Sequence, residues 1–348
     1  MHPIPPEDRR AFDDLLRVWK PESAPPAVMI RWRMTEWCNY ACRYCSQEHA
    51  RLADRGNGFT SHAFDNFPVE QWQAAFARHF SGYRLSMAIS GGEPFLDRKS
   101  LVPMMNFLTA MPGTETIRID TNAAWKPEAY RELDRSKILL NVSFHPSEVS
   151  EDAFADRLES ILAHGFRVGM VNYVMAEEQF EGFAARRRRF ARLGVPLNPN
   201  PDFERAREYS PERQEALKSW LPEIDYRFKV LRESPLGRKC LYPALSYELD
   251  FRGRIRVACV SVEWSSIFAE TLPALPPGPV ACPARGCECL DMYSFLEGST
   301  RNTTTDPLKD YCEQLKSMAP EEAAEKGAGR NAPWRSRLGK LLQTGPRF

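Results

Sequence analysis

Short apolar runs alternate along the chain with longer segments of helical period, the pattern of repeated βα units and a mostly parallel sheet. Six strands are predicted: VMIRWRMT (28–35), YRLSMAIS (83–90), TIRID (116–120), ILLNVSF (138–144), FRVGMVNYV (166–174) and VPLNP (195–199). Between them PVEQWQAAFARHF, RKSLVPMMNFLTAM, SEDAFADRLESILAHG and EGFAARRRRFARLG read as helices, the last two stopped by glycine. Residues two apart on a strand share a face. Ile138, Leu140, Val142 and Phe144 therefore oppose Asn141, Ser143 and His145, while Ile117 and Ile119 oppose Arg118, Asp120 and Asn122. Leu85, Met87 and Ile89 oppose Ser86 and Ser90, and Val195 and Leu197 oppose Asn198, Asn200 and Asp202. A closed eight-stranded barrel fills its lumen with branched apolar side chains, whereas six strands with one polar face predict an open α/β barrel around a wet cavity.

The pattern changes near residue 235. Cysteines spread through GRKCLYPALSYELDFRGRIRVACVSVEW and ACPARGCECLDMYSF, separated by the proline-rich LPALPPGPV, and a hairpin is predicted between SYELDF and RIRVACV, turned at Arg252-Gly253. The chain thus divides into an N-terminal extension (1–27), a barrel (28–232), a small cysteine-rich domain (233–318) and a basic, flexible tail (319–348).

Charge narrows the function little, because 47 basic against 46 acidic residues leave +1 and no field that would draw nucleic acid or an anionic membrane. ARRRRF (185–190) reads as the solvated side of an outer helix. The opening MHPIPPEDRRAFDD lacks the apolar core of a signal peptide, and no segment reaches the roughly 18 apolar residues of a membrane span. A soluble, cytoplasmic protein is expected. Nine cysteines in two groups, in a reducing compartment, indicate metal ligation over a disulfide framework.

The first group is RMTEWCNYACRYCSQEHA, where Cys38, Cys42 and Cys45 follow the first strand as Cys-x3-Cys-x2-Cys with Tyr44 just before the last. That loop lies at the strand's C-terminal end, the functional end of a β/α barrel. Thiolates suit zinc or an iron–sulfur cluster, and three thiolates leave a coordination position open for chemistry. Structural zinc is the alternative. A second motif, SGGEPFL (90–96), ends the second strand with two glycines that let a ligand approach the backbone, and with Glu93, an acceptor for an ammonium group.

Together CNYACRYC and GGEP resemble the radical SAM superfamily over about residues 28 to 230, which implies a partial (β/α)6 TIM-like barrel. The resemblance implies that Cys38, Cys42 and Cys45 hold a [4Fe-4S] cluster whose fourth iron chelates S-adenosylmethionine. One-electron reduction, from a flavodoxin or ferredoxin-type reductant, then yields a 5′-deoxyadenosyl radical that takes a substrate hydrogen atom. It places Tyr44 near adenine, Gly91, Gly92 and Glu93 at the methionine amino group, and Ser143 at the ribose, with Asn122 and Asn172 as further cofactor candidates. The thiols at Cys240, Cys259, Cys282, Cys287 and Cys289 resemble the twitch or SPASM-type extension of such enzymes, and four of the five would hold one auxiliary [4Fe-4S] cluster; structural zinc remains open here too. Cys312 reads as a buried apolar residue.

His145, Asp120 and Tyr173 are candidate catalytic groups. An auxiliary cluster near the substrate would accept the electron left after hydrogen abstraction, which favours dehydrogenation of a small polar metabolite. The short segment before the first strand, with no room for a peptide-recognition domain, favours the same reading or a peptide recognised by a separate partner. Crosslinking or epimerisation of a ribosomally made peptide is the alternative, and a non-catalytic iron–sulfur or zinc interaction protein is the alternative from another class. No nucleic-acid or membrane partner is expected.

Overall fold

The computed structural model describes residues 6–45, 62–202, 208–287, 290–299 and 307–318. Among them nine strands form one sheet. Its centre is β1 (Ala27–Thr35), β2 (Arg84–Gly91), β3 (Thr114–Thr121), β4 (Ile138–Phe144), β5 (Val168–Met175) and β6 (Leu197–Pro201), each paired in parallel with the next. The fold is α/β, a partial barrel of six consecutive parallel strands, and each strand lies within two residues of its predicted limits.

Helices α1 (Pro6–Trp19), α2 (Val69–Phe80), α3 (Arg98–Ala110), α4 (Glu151–Ala163) and α5 (Phe183–Arg192) form where the 3.6-residue period predicts them, except that α1 had no counterpart in the sequence reading. Capping fixes their limits. Ser150 accepts from the Ala153 amide at the start of α4, and Gly165 and Gly194, both at positive φ, end α4 and α5. Between β3 and β4 only a 3-10 turn (Pro127–Tyr130) intervenes. The apolar strand faces named above pack against α2 to α5 in one large core containing Trp32, Trp72, Phe76, Phe144, Phe154 and Phe190.

The opposite face is divided. Near the N-terminal ends of the strands it is dry: Ala27 and Met29 of β1 pack on Phe12, Leu15 and Trp19 of α1 and on Phe228, Leu241, Tyr242 and Phe295 from the C-terminal part of the chain. Toward the C-terminal ends it is polar and hollow.

After α6 (Pro211–Trp220) and a π-helical turn (Tyr226–Val230) come the two-residue strand β7 (Lys239–Cys240), the hairpin β8 (Ser246–Asp250) and β9 (Arg254–Val257), and the two-residue strands β10 (Ser265–Ser266) and β11 (Val280–Ala281). The hairpin turns at Arg252-Gly253 as read, with Gly253 at φ +72° and Asp250 accepting from the amides of Arg252 and Arg254. The hairpin also extends the barrel sheet: β8 pairs in parallel with β1, so the sheet continues through β8, β9 and β10. Prolines 199 and 201 sit in β6, the opposite edge strand, where a missing N–H donor is tolerated. Helix α7 (Pro307–Ser317) closes the described chain and packs Tyr311, Cys312 and Leu315 against Met170 and Leu139. Cys312 is buried as read.

The arginines of ARRRRF do more than face solvent. Arg186 and Arg189 reach Glu151 of α4 at 3.0 and 3.3 Å, and buried Arg187 donates to the Met318 carbonyl at 2.9 Å. No helix among the described residues is long and apolar enough to cross a membrane. The tail from 319 onward lies outside the described residues.

Candidate functional site

The C-terminal ends of the parallel strands β2 to β6, with the loop after β1, enclose a cavity of about 300 Å³. Its size falls at the small end of small-molecule sites. Cys38, Cys42, Tyr44 and Cys45 line it from the first loop, Gly91 and Gly92 from β2, Asp120 and Asn122 from β3, Ser143 and His145 from β4, and Asn172 from β5. The period-two alternation that separated polar from apolar positions thus delivers the polar members nearest the C-terminal strand ends to one space, while Ser86, Arg118, Asn141 and Asn198 lie outside its lining.

The two motifs are bolted together through backbone. The Gly92 amide donates to the Thr35 carbonyl at 2.7 Å and the Glu93 amide to the Trp37 carbonyl at 2.6 Å, so the GGE turn grips the segment that leads into Cys38. Glycine is required for this approach. A Cβ on Gly91 would lie 1.9 Å from the Thr35 carbonyl oxygen, one on Gly92 1.9 Å from that of Trp37, and Gly91 adopts φ +138°.

Asn122 continues the clamp. Its Nδ2 donates to Asn39 Oδ1 at 2.9 Å and to Cys38 Sγ at 3.8 Å, while its Oδ1 accepts from the Ala124 amide at 2.9 Å. The Tyr40 amide also donates to Cys38 Sγ, at 3.4 Å, and the Cys45 amide to the Cys42 carbonyl at 3.1 Å. Burial pushes the Cys42 thiol up to about 12, with Glu148 and the other two thiols acting in the same direction. Metal binding there must release the proton.

Glu93 has a different post from the one its motif suggests. It is 1 % exposed, and its carboxylate accepts from the Phe95 amide (3.0 Å), Thr121 Oγ1 (2.8 Å) and the Asn122 amide (2.6 Å). Burial raises it to about 7 against the pull of those three donors. The carboxylate therefore ties the end of β3 to the GGE turn from beneath the cavity, and what the turn offers a ligand is its backbone.

His145 lies between Tyr40 and Tyr44. The Tyr44 ring stacks on it at 5.8 Å, the Tyr40 ring meets it edge-on at 5.9 Å, and the Tyr44 hydroxyl is 3.1 Å from Nδ1. Burial lowers His145 to about 4, which keeps the imidazole neutral near pH 7, and holds the Tyr44 hydroxyl well above its ordinary value. Asp120 is engaged by Asn141 Nδ2 at 2.9 Å and by Arg118 at 3.3 Å.

Tyr173 is corrected. Strand alternation turns it away from Asn172 and Val174 onto the helix side, where it is 1 % exposed, packs on Phe144 and Phe183, and is absent from the cavity lining. The sequence reading missed Tyr40, Thr121, Val174 and Pro201 of the lining. It noted Asn200 and Asp202 as polar-face residues without assigning them to a site, although their alternation with Leu197 carried the signal.

The second thiol group is placed differently. Cys240 of β7 pairs in register with Val280 of β11, and the Cys282 amide donates to the Arg238 carbonyl at 2.8 Å, which sets Cys240 and Cys282 on adjoining strand ends. Both are buried in the apolar cluster around α1, and Cys287 packs against that cluster. Cys259, exposed and at φ +65°, places its Sγ 3.8 Å from Met292 Sδ. Burial pushes the Cys240 thiol up to about 12, and the Cys259 and Cys282 thiols add to it. Cys289 lies outside the described residues. None of the eight described cysteines forms a disulfide.

Among the described residues no three His, Cys, Asp or Glu side chains gather around a single ion-sized point. A cubane asks for something else, one thiolate at each of several corners of a volume. Three thiols around a cavity, beside a glycine turn that a Cβ would block, fit that demand.

No protein-family model matches the chain. Among curated proteins the chain is similar to GTP 3′,8-cyclase of Picosynechococcus sp., 28 % identical over 130 residues, which is 37 % of this chain and 35 % of the cyclase. The match therefore spans about a third of that enzyme. Among solved structures, the chain is similar to SuiB of Streptococcus suis bound to S-adenosylmethionine (14 % identity, 75 % of this chain and 66 % of that one, TM-score 0.34). It is also similar to BtrN in complex with AdoMet and 2-DOIA (15 % identity, 68 % and 74 % coverage, TM-score 0.30). Superpositions this loose fix no correspondence between residues.

Proposed function

We propose that this chain is a radical SAM enzyme that oxidises a small polar metabolite. The observation that carries the reading is the convergence of Cys38, Cys42 and Cys45 with the Gly91-Gly92 turn, Ser143 and Asn172 around one cavity at the functional end of the barrel. Cys38, Cys42 and Cys45 would hold a [4Fe-4S] cluster, and the backbone of Gly91 and Gly92 with the side chains of Ser143 and Asn172 would hold S-adenosylmethionine. When bound, that pair supplies a 5′-deoxyadenosyl radical by one-electron reductive cleavage. The remaining tasks fall to protein side chains. Asn122 holds the Cys38 loop, Glu93 holds Asn122 through its amide, and the Tyr40 and Tyr44 rings shield the ligand from one side.

After a hydrogen atom has gone to that radical, oxidation of a carbinol also requires that a proton and an electron leave, and the auxiliary cluster proposed below would accept the electron. His145 suits that role, being neutral, cavity-lining and oriented by the Tyr44 hydroxyl. Cys240, Cys259, Cys282 and Cys287, with Cys289 as the fifth candidate, would hold one auxiliary [4Fe-4S] cluster. The donor set is the support: four described thiols, of which Cys240 and Cys282 lie on adjoining strand ends within an apolar cluster and Cys287 packs against it.

The test is anaerobic reconstitution followed by dithionite and S-adenosylmethionine. Release of 5′-deoxyadenosine and methionine is expected, and their absence from a sample with full iron and sulfide content would overturn the reading. Iron and sulfide analysis of a C38A/C42A/C45A variant tests the auxiliary site: about four irons should remain, and zinc in their place would sink the cluster assignment.

A further inference from the structure

The wall formed by the last two parallel strands carries three asparagines whose amides bond to one another. Asn172 Oδ1 accepts from Asn198 Nδ2 and Asn200 Nδ2, both at 2.8 Å, and Asn198 Nδ2 also reaches Asn200 Oδ1 at 3.3 Å. Such a ring of amides satisfies itself in more than one sense, because each amide carries an acceptor and a donor end of the same shape.

Lys229 breaks that symmetry. Its Nζ lies 3.4 Å from Asn200 Oδ1 and 3.0 Å from Asp225 Oδ1, with only 4 % of the side chain exposed. An ammonium has donors and no acceptor. Asn200 must therefore turn its oxygen to Lys229 and its NH2 toward Asn172. Asn172 then spends its oxygen on the network, and its NH2, which meets no acceptor among the described residues, is left for the cavity that the residue lines. In the same arrangement the Tyr311 hydroxyl donates to Asn198 Oδ1 at 2.7 Å.

The device is costly for packing alone. A buried ion pair contributes little net stability compared with apolar side chains of the same volume. The π-helical turn of Tyr226–Val230, closed by the Leu231 amide on the Tyr226 carbonyl at 3.0 Å, is a widened geometry found often at functional sites. The Tyr293 hydroxyl donates to Asp225 Oδ1, the same oxygen that Lys229 meets.

We infer that Lys229, anchored by Asp225, is a positioning residue that fixes Asn172 as a hydrogen-bond donor to the cavity, so that this wall selects a ligand atom that accepts. A ribose or carboxylate oxygen or a ring nitrogen meets that demand; an ammonium group, which has donors and no acceptor, does not. The inference rests on the reading of the cavity as the S-adenosylmethionine site.

The experiment compares wild type, N172D, a D225N/K229Q pair and the triple variant, each reconstituted anaerobically. It measures S-adenosylmethionine affinity by calorimetry and melting temperature in parallel. The carboxylate introduced by N172D still accepts from Asn198 and Asn200 but has no donor for the ligand. N172D should therefore melt close to wild type while binding S-adenosylmethionine at least tenfold more weakly. D225N/K229Q removes both charges together and frees the amides to flip, so affinity should fall severalfold, and the triple variant should bind no more weakly than N172D alone. Equal affinity of N172D and wild type overturns the inference, as does a loss in the triple variant equal to the two losses combined. A wild-type chain that binds no S-adenosylmethionine overturns the proposed function itself and removes the ligand assignment with it.

Discussion

The two thiol groups differ in what surrounds them. Cys38, Cys42 and Cys45 face a cavity whose walls supply hydrogen-bonding side chains from β3 to β6, whereas Cys240 and Cys282 are embedded among Phe12, Leu15, Trp19, Tyr242 and Phe295. Metal bound at the first group would keep room for an exchangeable partner. At the second it would be enclosed by protein and would stabilise the packing of α1 against the C-terminal segments. The same residue type thus sits in two different shells, completed by polar side chains in one place and by apolar side chains in the other.

The largest effect that would sharpen this contrast is on stability. Replacing Cys240 and Cys282 with alanine should cost several kcal/mol, because metal binding at an enclosed site is itself folding free energy. The C38A/C42A/C45A variant should lose iron with a much smaller change in melting temperature. Equal destabilisation of the two variants, read by calorimetry alongside metal content, would break the comparison.

Next comes Gly91→Ala. The added methyl would sit 1.9 Å from a carbonyl oxygen and the residue would be held at φ +138°, so a loss of about 3 kcal/mol is expected from steric overlap and backbone strain. Because the damage is local to the open site, iron bound by the first loop should fall while that of the C-terminal thiols persists. Uniform loss at both would show that the sites are not independent.

Glu93→Gln should cost about 1–3 kcal/mol, since an amide nitrogen would replace one of two oxygens that face only donors. The same variant reports on pH. A carboxyl raised from its ordinary 4.5 to about 7 by burial favours the fold most when protonated. Its contribution is complete below about 4.5 and declines as pH rises through 7. Denaturant titrations across that range should show a downward slope in wild type that flattens in E93Q.

The smallest expected effect belongs to His145→Gln. With its pKa lowered from 6.5 to about 4, the histidine favours the fold when neutral. Its contribution is present above 6.5 and is lost as pH falls toward 4, amounting to roughly 2 kcal/mol or less for a ring partly open to solvent. Stability of H145Q should lose that acid-side slope, and a slope that persists would remove burial as the source of the histidine's neutrality.

Much of the barrel was legible because alternation and helical period are local signals. Ser143 and Asn172 could be placed on the cavity face from their strand neighbours alone, and the same rule places Tyr173 on the opposite face, where it packs on Phe144. The pairing of β8 with β1 was not legible. It joins Met29 to Ser246 and Arg33 to Asp250 across more than two hundred residues, and nothing in either segment's pattern distinguishes a hairpin that stands alone from one that extends a sheet. Glu93 marks the same boundary. Its motif announced a ligand contact, yet its oxygens are occupied by Thr121 and the Asn122 amide, which only the meeting of β2 and β3 brings within reach.

What the sequence determined by itself was the chemistry available: three thiols in eight positions, two glycines where no Cβ fits, and a set of polar side chains on one face of each strand. These follow from spacing and residue type, which the chain carries locally. The tertiary structure decided how that chemistry is aimed. Whether Asn172 offers a donor or an acceptor depends on Lys229, fifty-seven positions later, because an amide's direction is set by the partner on its far side and that partner arrives only when the chain has folded.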